Sequence, residues 1–188
     1  MEILLVNACV RKKSRTIKLA RKVAETLGGN VTEVFLEKER IRPMYGLPLV
    51  NRAILLEAGE LWNKDFALAQ QFANADAIIF AAPFWDLSFP AILKIYLEII
   101  NIAGIVFEYN PDGSVSGLCK AKKLCYVTTS GGKIENDTFG YGYVKELATS
   151  FWGIKDVHLI KAEGLDVEGA DVDKIMQDAM AHITPESI

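Results

Sequence analysis

The sequence predicts an α/β fold, a doubly wound parallel sheet of five strands in the order 2-1-3-4-5 with helices on both faces. Apolar runs of strand length, such as residues 3–6 and 77–82, are continuous rather than alternating, which is typical of strands buried on both faces. Segments of helical periodicity separate the successive strands, as in βαβ units. With 188 residues, 51% of them hydrophobic, the chain is predicted to form a single domain over residues 1–188.

The chain opens with the pattern of a βαβ unit. Residues 3–6 are the first predicted strand, and residues 31–36 alternate in the manner of a second strand. Between them, Ser14 is a suitable N-cap for a helix, and the pair Gly28-Gly29 is a suitable end. The apolar positions of this helix recur at helical spacing: Ile17, Ala20, Val23, Ala24 and Leu27.

The remaining elements are predicted from the same signals. In residues 37–75, prolines and glycine near 43–48 predict a loop, and residues 54–75 predict a helix with a break near Asn63. The elements that follow, in chain order, are a strand at 77–82, a helix from about Pro90 to Gly104, a short strand at 106–109 with a turn at 110–113, a strand at 124–128, a helix at 144–151, a strand at 157–162 and a helix at 171–182.

Composition excludes several classes of function. A net charge of -3 argues against the broad basic face of a nucleic-acid-binding protein. No uncharged apolar stretch reaches the ~18 residues of a membrane span, and residues 3–6 are too short for a signal-peptide core. Three cysteines and two histidines argue against a disulfide framework and against a zinc site. We therefore expect a cytoplasmic protein without a metal, and we note four basic residues within positions 11–15.

The predicted sheet order indicates where a ligand would bind. The order reverses between the first and third strands, and ligands of such sheets lie beyond the carboxyl ends of the strands at that point. The loops that meet there are residues 8–16, 83–89 and 129–133.

The first of these loops is suited to a phosphate. It leads into a helix N-terminus, where free backbone N–H groups favour an anion. Ser14 and Thr16 add hydroxyl groups, and Arg11 and Arg15 add positive charge. No GxGxxG or Walker A motif is present, which argues against a dinucleotide or P-loop site. The alternative is a solvated basic turn with an ordinary helix cap.

The other two loops are suited to a flat ring. Aromatic residues on an exposed loop, Phe84, Trp85 and Phe89, favour stacking and apolar contact, although packing in the core or at a dimer interface is an alternative. Small residues at 129–132 let backbone amides approach a ligand closely, although a routine turn would look the same. Together the loops fit a ligand with one phosphate and a planar ring, such as FMN.

Residues 81–87 (AAPFWDL), 89–96 (FPAILKIY) and 103–109 (AGIVFEY) resemble the FMN-dependent NADH-azoreductases. That group belongs to the flavodoxin-like NAD(P)H:quinone oxidoreductases. Shorter matches continue in the same order: Gly117-Leu118, Lys122-Lys123, residues 129–132, residues 151–154 and residues 162–164. Residues 37–70 show no clear match.

The resemblance implies a flavodoxin-like fold, FMN as cofactor, and NADH or NADPH as hydride donor. Quinones or azo compounds would be reduced in a two-electron ping-pong reaction, with no catalytic side chain because the flavin N5 atom carries the chemistry. The phosphate would lie on Ser14, Arg15 and Thr16, and the polar ring edge on Thr129, Ser130, Gly131 and Gly132. The ring and ribityl chain would be lined by Pro83, Phe84, Trp85, Asp86 and Leu87.

The resemblance also implies a homodimer whose substrate site lies at the subunit interface. Tyr109 and Phe107 would then be on the substrate side. The dimer or the pocket would be completed by three aromatic residues expected to be exposed: Tyr45, Trp62 and Phe66.

Three positions depart from the family pattern. Asp86 stands where the family usually has asparagine, Ala8 where a serine commonly binds phosphate, and Ser130 where an arginine is often found. A flavodoxin-like electron carrier or a regulatory flavoprotein without its own substrate is the alternative. A phospho-receiver domain is disfavoured, because Asn7-Ala8 stands where its magnesium-binding acids would be.

Overall fold

The computed structural model describes residues 1–188 and contains seven strands and six α-helices in chain order. The strands are β1 (Glu2–Asn7), β2 (Asn30–Phe35), β3 (Ala77–Ala81), β4 (Phe107–Tyr109), β5 (Val115–Gly117), β6 (Lys123–Thr129) and β7 (Asp156–Ala162). The helices are α1 (Arg15–Leu27), α2 (Leu47–Glu57), α3 (Ala67–Asn74), α4 (Ala91–Ile100), α5 (Tyr143–Ser150) and α6 (Val172–Ala181).

Five strands form one parallel sheet in the order β2-β1-β3-β6-β7. Since β4 and β5 lie outside it, this is the predicted order 2-1-3-4-5, and the predicted fold class is confirmed. Successive side chains point to opposite faces of a strand. Ile3 and Leu5 accordingly pack into a core with α1 and α6, whereas Leu4 and Val6 pack into a second core with α3, α4 and α5. Burial on both faces explains the continuous apolar runs.

The first helix follows the predicted signals. Ser14 is the N-cap of α1, and its Oγ accepts a hydrogen bond from the Ile17 N–H at 3.4 Å. The helix ends at Leu27, and Gly28 follows with φ +66°. The predicted cap and the predicted end are both confirmed, because each depends on local backbone chemistry.

The segment before β3 differs from the prediction. Helix α2 begins at Leu47, so Pro48 lies in its first turn rather than in a loop, where its fixed φ is tolerated. The predicted break near Asn63 is confirmed, because Asn63 caps a 3₁₀ turn at Lys64–Phe66 that leads into α3. Only Leu55 and Leu56 of α2 pack against the core and both are only partly buried, so the apolar residues of this helix form no broad core-facing stripe that a periodicity could reveal.

The short aromatic strand is one half of a hairpin. Strand β4 pairs antiparallel with β5 around the predicted turn, but β5 was not predicted. Its last residue, Gly117, lies directly against Gly153, whose nitrogen would be 2.1 Å from a Cβ at position 117. Close backbone approach of this kind requires glycine, and it is invisible to strand propensity.

The predicted helix at 144–151 begins earlier than expected, because a π-helical turn at Thr138–Gly142 precedes α5. None of the helices combines the length and the apolarity that crossing a bilayer requires.

Candidate functional site

A cavity of about 280 Å³ lies at the carboxyl edge of the sheet, where the loops after β1, β3 and β6 converge. We call this cavity the cradle. It is lined by the following predicted cofactor residues: Ser14, Arg15, Thr16, Pro83, Phe84, Trp85, Thr129, Ser130 and Gly131. Asp86, Leu87 and Gly132 are outside the lining. Loops separated by more than a hundred positions in sequence therefore meet at the place where the sheet order predicted a ligand site.

The cradle also contains residues that sequence reasoning missed. Cys9, Leu165 and Asp166 line it, and the last two follow β7. The sheet order contained a signal for them, because β7 pairs with β6 and its carboxyl end therefore lies at the same edge. Of the basic cluster at 11–15, Lys12 does not line the cradle.

Buried hydroxyl groups tie two of the loops together. Thr16 Oγ1 and Thr129 Oγ1 are 2.6 Å apart, and both residues are buried. The Phe84 N–H donates to the Thr129 carbonyl at 3.0 Å, which connects the loop after β3 to the end of β6. The amino end of α1 therefore faces the cavity on a rigid frame, with unpaired backbone N–H groups and the helix dipole directed at it.

Charged side chains at the cradle are mostly basic. Arg11, Lys13 and Arg15 line it together with one carboxylate, Asp166. Arg15 Nη1 donates to Asp166 Oδ1 at 2.9 Å and to the Leu165 carbonyl at 3.3 Å. With three cations against one carboxylate, this arrangement favours an anion such as a phosphate monoester.

Gly131 lies directly against the loop after β7. A Cβ on Gly131 would lie 2.6 Å from Asp166 Oδ2, and the Asp166 N–H donates to the Gly131 carbonyl at 2.9 Å. Any side chain at position 131 would displace Asp166. The small residues of the third loop therefore serve close packing against the loop after β7.

The loop after β3 is a tight turn. The Trp85 N–H donates to the Ser88 carbonyl at 3.0 Å, and the Ser88 N–H donates to the Trp85 carbonyl at 2.8 Å. The two central residues, Asp86 and Leu87, have φ of +49° and +65°. That pattern is typical of a type I′ turn, which usually holds asparagine or glycine, so the backbone is strained here. The turn puts Asp86 and Leu87 at an exposed tip, outside the cavity lining.

The aromatic residues that precede the tip face the cavity. Phe84 and Trp85 are half-buried, so neither belongs to the core. The Arg11 guanidinium lies 5.7 Å from the Trp85 ring centroid, within range of a cation–π interaction. A flat ring resting on Trp85 would therefore lie beside a positive charge.

Phe107 and Tyr109 do not line the cradle of their own chain. Phe107 is buried and packs edge-on against Phe151, with ring centroids 4.9 Å apart. Tyr109 is 66% exposed and lies edge-on to Phe107. Their role in substrate binding stays a prediction.

Of the three aromatic residues expected to be exposed, Tyr45 and Trp62 are, with 71% and 84% of their surface accessible. The expectation for Phe66 was wrong. It is buried in the core beneath α3 and α4, because the 3₁₀ turn that Asn63 caps directs it inward.

The thiol in the cradle is uncharged. Burial raises the pKa of Cys9, and hydrogen bonding to Ser14 and Thr16 only partly opposes this effect. The Cys9 Sγ donates weakly to the Ala81 carbonyl at 3.5 Å. Cys9 therefore contributes neither a nucleophilic thiolate nor a negative charge that would repel an anion.

Both histidines lie away from the cradle. His158 pairs with Asp156 at 2.6 Å near the start of β7, and His182 follows α6. The structure has no group of three or more His, Cys, Asp or Glu side chains arranged to hold a metal ion.

Comparison with known proteins extends these observations. The model of the Flavodoxin_2 family, described by its flavodoxin-like fold, matches residues 1–184. A protein of Clostridium beijerinckii named FMN-dependent NADH:quinone oxidoreductase is 44% identical over 113 residues, which is 60% of this chain. The match spans only 57% of that relative's length.

Solved structures share the fold. An azoreductase from Bacillus anthracis superposes with a TM-score of 0.80 at 24% identity, covering 97% of this chain and 96% of the other. An FMN-dependent NADH-azoreductase from the same species, in complex with FMN, superposes with a TM-score of 0.79 at 22% identity, covering 97% and 95%. At this level of identity the likeness concerns architecture.

Proposed function

The chain belongs to the Flavodoxin_2 family, and from that premise we propose that it is an FMN-dependent NADH oxidoreductase that reduces quinones or azo compounds. The observation that carries the proposal is the cradle, where an anion-binding helix terminus lies next to half-buried aromatic residues. The name of the 44%-identical relative supports both the cofactor and the quinone acceptor. NADPH as an alternative donor stays part of the proposal.

The residues present fit FMN. Hydroxyl groups, cations and free backbone N–H groups suit its phosphate, and Trp85 suits its ring. A volume of about 280 Å³ is slightly below the range of ligand-binding clefts, which measure roughly 300–1,000 Å³. The cradle would therefore enclose the phosphate and part of the chain, while the ring rests on the aromatic loop.

The side chains would bind and orient the cofactor. Ser14, Arg15 and Thr16 would hold the phosphate, and Pro83, Phe84 and Trp85 would support the ring. The segment Thr129–Gly132 would contact its polar edge, and the strained tip at Asp86 and Leu87 would lie beside it. FMN, when bound, would accept the hydride and pass it on. Neither histidine is placed to assist in this step.

We also propose a homodimer. Several large apolar residues on and near α2 face solvent although no core requires them there: Tyr45, Leu47, Leu49, Val50, Ile54 and Trp62. Contiguous apolar surface of this kind marks an interaction site in most soluble proteins. In a dimer, the exposed Tyr109 would contact the cradle of the partner subunit. This is consistent with the observation that Tyr109 does not line the cradle of its own chain. A single domain and a cytoplasmic location complete the proposal.

The experiment is reconstitution with FMN followed by NADH oxidation. We expect the purified protein to be yellow or to become so with FMN, and to oxidise NADH rapidly when a soluble quinone is present. An electron carrier would bind FMN but would not turn over NADH. A colourless protein that does not take up FMN would contradict the proposal.

A further inference from the structure

A second, larger cleft lies next to the cradle, at the carboxyl ends of β1 and β2. Its volume is about 880 Å³, within the range of small-molecule sites. Cys9 and Arg11 line both cavities, so the two adjoin across the loop between β1 and α1. We call it the β2 cleft.

Three cations in the β2 cleft have no carboxylate partner. Arg11, Lys12 and Lys38 line it, and none of them forms an ion pair. Two of them rest on aromatic rings: Arg11 on Trp85, and Lys38 on Phe35 at 5.3 Å from the ring centroid. These charges are free to bind an anion, because no ion pair must be broken first.

The polar side chains on the opposite wall of the β2 cleft already have hydrogen-bond or ion-pair partners. Asn7 Nδ2 donates to Glu33 Oε1 at 2.7 Å, Asn7 Oδ1 accepts from the Cys9 N–H at 2.9 Å, and Arg21 pairs with Glu33 at 3.2 Å. This network fixes the end of β1 against β2. A ligand in the cleft would meet a preformed surface and would not have to order it.

The remaining groups match a nucleoside. Phe35 presents a half-buried ring for stacking, and Glu37 and Glu39 present carboxylates that have no ion-pair partner. In Rossmann dinucleotide sites an acidic side chain beyond the second strand accepts hydrogen bonds from ribose hydroxyls. This chain lacks the glycine motif of those sites, so its side-chain cations, and not backbone N–H groups, would have to hold the phosphates here. An aromatic face, free cations and free carboxylates together suit a nucleoside with phosphates.

Arg11 connects this cleft to the aromatic loop. Its guanidinium lines both cavities and lies 5.7 Å from the Trp85 ring centroid. A dinucleotide with its phosphates at Arg11 would have one half in the β2 cleft and the other half directed toward Trp85. We propose that the β2 cleft binds the adenosine diphosphate half of NADH, with the pyrophosphate at Arg11 and Lys12. This inference rests on the proposed function.

The test measures ADP-ribose binding directly, by calorimetry on the purified protein with its FMN. The variant is Lys12→Glu/Lys38→Glu, and the matched control is Lys18→Glu/Lys174→Glu, which makes the same change in net charge at exposed positions of α1 and α6. We expect the cleft variant to bind ADP-ribose at least about tenfold more weakly, because two attractive contacts become repulsive. Its KM for NADH should rise by a similar factor, with the dissociation constant of FMN unchanged.

Absence of ADP-ribose binding to the unaltered protein would overturn the inference, and so would an equal loss of binding in the control variant. The outcome is separable from the proposed function, since calorimetry does not depend on turnover. If the protein binds ADP-ribose through Lys12 and Lys38 but does not reduce quinones, the inference about the β2 cleft holds and the proposed function is wrong.

Discussion

Arg15 and Asp166 form an ion pair within the lining of the cradle, with Arg15 Nη1 2.9 Å from Asp166 Oδ1. The arginine that we propose to hold the FMN phosphate is thus partly neutralised by a carboxylate from the loop after β7. The backbone of Asp166 is held in place by its N–H, which donates to the Gly131 carbonyl. Asp166 therefore lowers the positive charge that the cradle presents to an anion.

The first prediction follows from this pair. Replacing Asp166→Asn should tighten FMN binding by about three- to tenfold at low salt, because a partly exposed charge is worth ~1 kcal/mol and is screened by ions. The measurement is fluorescence titration with FMN and, in parallel, with riboflavin, which lacks the phosphate. Asp173→Asn on α6 is the control. An equal effect on riboflavin would show that Asp166 does not act through the phosphate.

The second prediction concerns the hydroxyl groups. Ser14→Ala/Thr16→Ala should weaken FMN binding by at least about a hundredfold, since two hydroxyl groups are removed and each hydrogen bond to a charged group is worth roughly 1.5–3 kcal/mol. Loss of the Ser14 cap should also cost about 1 kcal/mol in the free energy of unfolding. Thr149→Ala on α5 is a control for the loss of an exposed hydroxyl. Unchanged FMN affinity in the double variant would remove the phosphate role.

The third prediction concerns the strained tip. Leu87 is 64% exposed with φ +65°, so Leu87→Gly should preserve or raise the free energy of unfolding, by up to about 1 kcal/mol. Leu87→Ile should lower it by about 1–2 kcal/mol, because a β-branched side chain is strongly disfavoured at positive φ. Urea unfolding measures both. Equal stability of the two variants would contradict a left-handed backbone at this position.

The fourth prediction concerns the charge at the same tip. Asp86→Asn should raise the reduction potential of bound FMN by on the order of 20 mV, because an exposed negative charge of ~1 kcal/mol opposes electron uptake by the ring. Redox titration against a reference dye measures the shift. Asp173→Asn, at an exposed position of α6, is the control. An unchanged potential would place Asp86 away from the ring.

The fifth prediction concerns the thiols. Burial raises the pKa of Cys9, and it raises that of Cys125 to about 12. A raised pKa means less thiolate, so alkylation of the folded protein by iodoacetamide should be slow at pH 7.5 and should accelerate only above the ordinary thiol range near pH 9. Mass spectrometry after timed alkylation measures this. Rapid labelling of Cys9 at pH 7.5 would contradict a protonated thiol in the cradle.

Much of the fold was predictable because the strands β1, β3 and β6 are buried on both faces and carry unbroken apolar runs. The cap at Ser14 was predictable because it is local chemistry. The start of helix α2 was not predictable, since only Leu55 and Leu56 of this mostly exposed helix pack against the core. Strand β5 was not predictable, since its end is set by the contact between Gly117 and Gly153, which are distant in sequence.

The candidate site shows the same division. The strand order predicted that the loops after β1, β3 and β6 meet where the order reverses. Ser14, Trp85 and Ser130 lie on these loops, and all three line the cradle. Asp166 was missed because its position depends on how the loop after β7 folds back onto Gly131. The turn geometry at Asp86 and Leu87 was missed because leucine does not favour positive φ, although aspartate tolerates it.

The central claim is that the cradle holds FMN for hydride transfer from NADH to a quinone. Anaerobic mixing of the FMN-loaded protein with NADH in a stopped-flow spectrophotometer tests it most directly. The account predicts that about one NADH per FMN bleaches the flavin absorbance, and that a soluble quinone then restores it. FMN-loaded protein whose absorbance does not change with NADH would contradict the account.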